Sequence, residues 1–184
     1  MTIMSEIMFS REWAMPSSKT FSILPIRDLL NRYVGGVTVD PFANGSRVAS
    51  VTNDIDPQYD TDHHLDAVEF LKLFDEESVD CVLFDPPYSP RQLSECYRKL
   101  GLAVNMETTQ QSFWTRIKRE IGRIVKPSGI VVGCGWSSGG CGKKLGFKLV
   151  EILMVPHGAG HNDTIVTVER KNPDRQLNFW SESK

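Results

Sequence analysis

Apolar residues occur along the chain in short blocks whose period switches between that of a helix and that of a strand. In PIRDLLNRYV, Ile26, Leu29, Leu30 and Tyr33 fall on one face of a helix entered through Pro25 and stopped at Gly35-Gly36. GVTVDPF and residues 50–54 (SVTND) read as two strands. LDAVEFLKLF predicts a short helix with Leu65, Val68 and Leu71 on one side. Residues 79–84 form a continuous apolar strand ending at Asp85. RQLSECYRKLG predicts a helix closed by Gly101. FWTRIKREIGRIV predicts a longer one with Phe113, Ile117, Ile121 and Ile124 inward. KPSG reads as a turn and IVVGCGW as a buried strand. KLVEILMVPHG and DTIVTVERK form a last pair of strands around a turn at His161-Asn162-Asp163. Residues 1–25 show no period, are punctuated by Pro16, Ser17, Ser18 and Pro25, and read as an irregular arm.

Strands that alternate with helices and are apolar throughout predict an α/β fold. The sheet is mostly parallel and covered on both faces, with an antiparallel hairpin at its C-terminal end. In such sheets ligands sit beyond the carboxyl ends of the strands. Two of those ends carry conspicuous polar chemistry, Asp40-Pro41-Phe42 and Asp85-Pro86-Pro87-Tyr88. The chain has 184 residues, 40% hydrophobic and 24% charged, without a repeat, which fits one domain over 1–184. Its longest apolar runs are too short to span a bilayer, and the start, MTIMSEIMFSREW, lacks the apolar segment of a signal peptide. Cys81, Cys96, Cys134 and Cys141 sit in unrelated contexts without a CxxC, so reduced thiols and a cytoplasmic location are expected, with neither disulfide nor metal site.

The net charge of −2 conceals an asymmetry. Residues 1–90 carry 6 Lys/Arg against 15 Asp/Glu, a net −9, whereas residues 91–148 carry 11 against 3, a net +8. A basic middle third suits a polyanion footprint; a solvated helix face is the other reading.

The DPPY tetrapeptide follows an apolar strand and has a definite chemistry. Its prolines lack N–H donors and fix the backbone, which leaves carbonyls with few local partners. A carboxylate beside such carbonyls makes an acceptor-only pocket suited to an NH2 group. Tyr88 adds a face on which a flat base can stack, worth roughly 1–3 kcal/mol. Together these residues suit an exocyclic amine on a planar heterocycle. Accepting both hydrogens orients the nitrogen lone pair toward a methyl donor.

In this position DPPY resembles motif IV of the S-adenosylmethionine-dependent amino-methyltransferases. The stretches LFDPPYSPRQLSECY, GIVVGCGWSSGGCGKKLGF and HGAGHNDTIVTVERK are similar to small phage- and prophage-type N6-adenine DNA methyltransferases. The resemblance runs from about Phe9 to Lys171. It implies a Rossmann-like methyltransferase fold, S-adenosylmethionine as cofactor and DNA with a flipped adenine as partner, and it leaves a homodimer open. Asp85, Pro86, Pro87 and Tyr88 would be catalytic. Asp40, Pro41 and Phe42 resemble the opening of motif I, Asp54 is placed for ribose hydroxyls, and Asp66-Ala67 resembles motif III at the cofactor adenine. Thr20 and Phe21 would close over the methionine end, where motif X lies. Asp66 also suits a helix N-cap.

The chain departs from the family after motif I. DPFANGSRVASVTND leaves seven residues, 43–49, between two strands, whereas a parallel crossover takes a dozen or so. The first crossover helix is therefore expected to be short or missing. On the basic side, Arg91, Arg116, Arg119, Arg123, Lys143 and Lys144 are candidates for phosphate contacts, which set position and salt dependence. Trp136 is a candidate to stack on the target base or to fill the core. His157 and His161 read as structural. Target specificity is expected from the 89–112 segment, from the 133–146 loop or from a dimer, or is low. No cysteine follows proline, as cytosine-carbon methylation would require. The alternatives are an rRNA or tRNA base amino-methyltransferase, or a non-catalytic phage protein of the same fold that binds DNA.

Overall fold

The computed structural model describes residues 6–101, 111–158 and 160–173. Among these residues seven strands form one sheet: β1 (Met8–Arg11), β2 (Thr38–Asp40), β3 (Val51–Thr52), β4 (Val79–Phe84), β5 (Val125–Gly135), β6 (Phe147–Val155) and β7 (Thr164–Lys171). Their order is β1-β6-β7-β5-β4-β2-β3. β7 runs antiparallel to both neighbours, and every other pairing is parallel. The helices are α1 (Leu24–Tyr33), α2 (Ala67–Leu71), α3 (Pro90–Lys99) and α4 (Gln111–Ile124).

Two cores flank the sheet. On one face Phe70, Leu71, Leu93, Phe113, Ile117, Ile121 and Ile124, from α2, α3 and α4, pack on Val82, Phe84 and Val131. On the other, Ile26, Leu29 and Leu30 of α1 pack on Cys81, Leu83, Val132, Leu153 and Val166. Each fully buried side chain of this size contributes roughly 1.5–3 kcal/mol by transfer from water, which is why the apolar stripe of α4 lies inward. Arg123 shares that helix but does not reach for solvent. It donates to the carbonyls of Phe74 and Leu71 and pairs with Glu120, so it ties α4 to α2. α1 is fixed to β6 by Arg32, whose guanidinium meets both carboxylate oxygens of buried Glu151 at 2.9 and 2.6 Å, with Tyr33 donating at 2.7 Å.

Three features differ from the sequence reading. The N-terminal arm contains a strand, β1, which pairs parallel with β6; four residues are too few for a period to show. A 3₁₀ turn (Thr20–Ser22) then leads into α1. The KPSG turn is absorbed into β5, where Ser128 takes a left-handed φ of 65° and the register with β4 shifts. The connection from β2 to β3, by contrast, matches expectation. Ten residues, 41–50, join the two parallel strands without a helix. The tight path uses left-handed backbone at Asn44 (φ 45°) and Gly45 (φ 71°), closed by Ser46 N–H donating to the Ala43 carbonyl.

Candidate active site

From β2 the chain steps outward to β3, and from β4 it steps the other way to β5. The crevice at this reversal opens beyond the carboxyl ends of β2 and β4, and it lies there because neighbouring loops diverge. A cleft of about 520 Å³ occupies it, walled by Phe42, Asp54, Leu65, Ala67, the whole DPPY run, Gln92 and Tyr97.

DPPY hangs from the end of β4 and is held at both ends. Ser89 caps α3 by accepting from Gln92 N–H at 3.2 Å, with Pro90 at the first helical position. The Gln92 side chain in turn accepts from Tyr88 N–H at 2.7 Å. Tyr88 donates its hydroxyl to Asp85 Oδ1 at 2.6 Å. Burial pushes the Asp85 carboxyl above its ordinary range, and hydrogen bonds from Thr20 and Tyr88 pull it back toward the charged form. Burial and the charge of Asp85 push the Tyr88 phenol up, so it stays a donor. Gln92 was not singled out in the sequence; its place four residues after Tyr88, in a first helical turn, is the signal.

The acidic residues differ in what they offer. Asp40, the last residue of β2, is fully buried and lines none of the three cavities. Its Oδ1 accepts from Phe42 N–H at 3.0 Å, its Oδ2 has no partner among the described residues, and burial raises its carboxyl well above normal. Asp54 lines the cleft, its two oxygens accepting from Asn44 and Asp56 N–H at 2.9 Å each, and burial raises it too. Its remaining lone pairs can accept from a ligand. Asp66 caps α2 by accepting from Val68 N–H and takes the Tyr97 hydroxyl at 3.0 Å. Ala67, not Asp66, is part of the cleft wall. Buried Asn53 ties the two cleft loops together, donating to the carbonyls of Pro41 and Leu65 and accepting from Leu65 N–H.

Thr20 borders the same cleft, and with Phe21 it lines a side chamber of about 310 Å³ that also includes Lys19, Asn44, Ser46 and Asp85. The irregular arm thus supplies a wall beside DPPY. On the opposite side of Pro86, Pro87 and Tyr88 lies a smaller cavity of about 120 Å³, lined by Trp114, Lys118, Trp136 and Thr167. Trp136 is 44% exposed and meets Tyr88 edge to face, centroids 5.6 Å apart. It is a surface aromatic, not a core tryptophan. Its glycine-rich loop is gripped by Lys118, which donates to the Gly140 carbonyl, and by buried Glu169, which accepts from Cys141 and Gly142 N–H. Lys118 and Glu169 escaped the sequence reading because their partners are backbone atoms remote in the chain.

The expected phosphate contacts are more scattered. Arg91 is exposed and pairs with Glu95 at 2.9 Å. Arg116 and Arg119 lie exposed on α4, and Lys143 and Lys144 on a 3₁₀ turn (Lys143–Leu145); none lines the three cavities. His157 Nδ1 donates to the Ala14 carbonyl (2.8 Å) and its Nε2 shares a hydrogen bond with Thr164 Oγ1 (2.9 Å), which makes it a structural pin. The recognition segment 89–112 lies partly outside the described residues. Among the described residues no three metal-ligating side chains converge, and no helix is long and apolar enough to cross a membrane.

No protein-family model matches the chain, and no curated protein does. Solved structures do. The 1,6-didemethyltoxoflavin-N1-methyltransferase of Burkholderia thailandensis, crystallised with 1,6-didemethyltoxoflavin and S-adenosylhomocysteine, superposes with a TM-score of 0.53. It is 13% identical, over 81% of this chain and 76% of that one. The likeness is one of fold and assigns the sheet to the Rossmann-like methyltransferase type. Weaker matches are a candidate methylase of Haemophilus influenzae (TM-score 0.49, 10% identity, 81% of this chain and 95% of that one) and a candidate DNA modification methylase of Thermus thermophilus. The latter matches at a TM-score of 0.40 and 22% identity, over 59% of this chain and 53% of that one, so the match spans about half its length.

Proposed function

We propose that this protein transfers a methyl group from S-adenosylmethionine to the exocyclic amine of adenine in DNA. The observation that carries the reading is the placement of Asp85 and Tyr88. The carboxylate sits at the end of a central strand, faces the cleft at the sheet's reversal point and is held by a phenol donor at 2.6 Å.

The main cleft suits the cofactor. Phe42, Ile55, Leu65 and Ala67 offer an apolar wall for a purine, and Asp54 offers acceptor sites for ribose hydroxyls. Thr20, Asn44 and Ser46 border the side chamber, where the methionine part would lie, with Lys19 available to its carboxylate. Bound there, S-adenosylmethionine supplies an electrophilic methyl group carried on sulfur.

The protein's own part is orientation and electrostatics. Asp85 and the Pro86 carbonyl accept the two N–H bonds of the amine, which frees the nitrogen lone pair to point at the methyl donor. The carboxylate also stabilises positive charge developing on that nitrogen. Its raised pKa suits it to take the proton the nitrogen sheds. The cavity between Tyr88 and Trp136 provides aromatic faces for a base turned out of its stack, an extrusion that costs a few kcal/mol in duplex DNA. Transfer of tritium from labelled S-adenosylmethionine to unmethylated DNA, with RNA in parallel, tests the proposal. Label in DNA is expected; label in RNA alone, or in neither with cofactor bound, would overturn it.

A further inference from the structure

Among the described residues β1 is the outermost strand of the sheet, hydrogen-bonded to β6 along one edge only. The arm continues along β6 past its end, with Glu12 N–H on the Met154 carbonyl and Ala14 N–H on the Pro156 carbonyl. Its other edge has no strand partner among the described residues, an arrangement that proteins ordinarily blunt with charge, proline or a cover. Here it is apolar. Ile7, Met8, Phe9, Trp13 and Met15 are 49–68% exposed, and they are five of the eleven large apolar side chains exposed among the described residues. The pairing register sets Phe9 beside Ile152 and Arg11 beside Met154. Ile152 and Met154 are only half-buried, and neither they nor Phe9 belong to either core. An apolar strip therefore runs from the free edge onto the sheet face.

We propose that this edge pairs with the same edge of a second copy, in antiparallel register with Met8 opposite its own counterpart. A two-fold axis perpendicular to the sheet makes such an interface self-complementary and closed. It keeps every side chain on its own face, so the axis must pass through a residue. Charge then selects among the registers, because like charges directly opposite are destabilising. An axis at Phe9 sets Glu6 against Glu12, and an axis at Arg11 or Glu12 sets that residue against itself. An axis at Ser10 sets Met8 against Glu12 and Phe9 against Arg11, and an axis at Ile7 sets Met8 against Glu6. The axis at Met8 alone sets Phe9 against Ile7 and Ser10 against Glu6, with apolar groups matched and no like charges opposed. A second copy satisfies backbone edge, apolar strip and charge pattern together.

Size-exclusion chromatography with light scattering at low and high micromolar concentration reads the oligomer directly. The expected mass at high concentration is twice the 20.7 kDa of the chain. Phe9→Lys should weaken the dimer at least tenfold while leaving the circular dichroism spectrum unchanged, because Phe9 is 63% exposed. A second measurement fixes the register. In a Cys96→Ser background, which removes the one exposed cysteine among the four, Met8→Cys should oxidise to a covalent dimer. Directly opposite residues lie about 4.5–5.5 Å apart at Cα, within disulfide reach. Phe9→Cys, displaced from its own copy, should cross-link far less. A protein monomeric at every concentration, a dimer untouched by Phe9→Lys, or equal cross-linking by the two cysteine variants would each overturn the proposal.

Discussion

Asp85→Asn separates the chemistry of the site from its architecture. The two side chains are nearly isosteric, and the introduced amide can still accept the Tyr88 hydroxyl through its remaining oxygen, as Oδ1 does at 2.6 Å. The other carboxylate oxygen becomes an NH2 group. In the proposed mechanism a donor then faces the N–H bonds of the amine, and the negative charge that would steady the developing cation is gone. Loss of one preorganised partner of this kind costs about 2.7–4 kcal/mol, or 10²–10³ in kcat. Affinity for S-adenosylhomocysteine, measured by calorimetry, should change little. The stability effect has the opposite sign. Burial raises the folded-state pKa of Asp85, so the folded protein binds a proton more readily than the unfolded chain. Stability is then lost as pH rises from the ordinary carboxylate range through the raised value. At neutral pH the neutral amide removes that penalty, and Asp85→Asn should unfold at the same temperature as the wild type or higher. A kcat within tenfold of wild type would refute the catalytic role. Equal losses of rate and cofactor affinity would reassign Asp85 to cofactor binding, and a lower Tm would refute the account of its burial.

Trp136→Ala should raise KM for nucleic acid by roughly 5–150-fold, the equivalent of 1–3 kcal/mol of stacking, with S-adenosylhomocysteine affinity unchanged. A loss confined to Tm would instead make it a packing residue. Arg32→Ala leaves Glu151 buried without its bidentate partner. Such breaks cost about 3–5 kcal/mol in full burial, and because Arg32 is 52% exposed the expected loss is about 2 kcal/mol by urea denaturation. Asp40 is fully buried with one oxygen unpartnered among the described residues and its pKa raised well above normal, so ionisation opposes folding. Wild-type Tm should fall relative to Asp40→Asn as pH climbs above the ordinary carboxylate range; parallel curves would show that Asp40 does not titrate there.

Much of this architecture is legible in the sequence, because period and burial coincide. The stripe Phe113, Ile117, Ile121, Ile124 and the run 79–84 are where helix and strand periods are clean, and both form as expected. DPPY is legible because two prolines after an apolar strand constrain the backbone whatever surrounds it. β1 is not legible: its four residues pair with a strand more than a hundred positions away, and nothing local requires extension. The site shows the same division. Asp85 and Tyr88 meet through a contact three residues long. The roles of Thr20, Lys118 and Glu169 depend on distant chain segments converging, which neither propensity nor spacing encodes. Asp66 illustrates the limit in a single residue. It can cap a helix or bind a ligand, and only the fold reveals that its carboxylate already holds Val68 N–H and the Tyr97 hydroxyl.

The most direct test of the central claim is the identity of the methylated atom. DNA from a methylation-free host, treated with the protein and S-adenosylmethionine carrying a deuterated methyl group, is digested to nucleosides and resolved by mass spectrometry. The account predicts a labelled N6-methyladenine deoxynucleoside whose rate of formation falls about 10²–10³-fold with Asp85→Asn. Label on a ring carbon of cytosine, or labelled N6-methyladenine that persists undiminished in that variant, would contradict it.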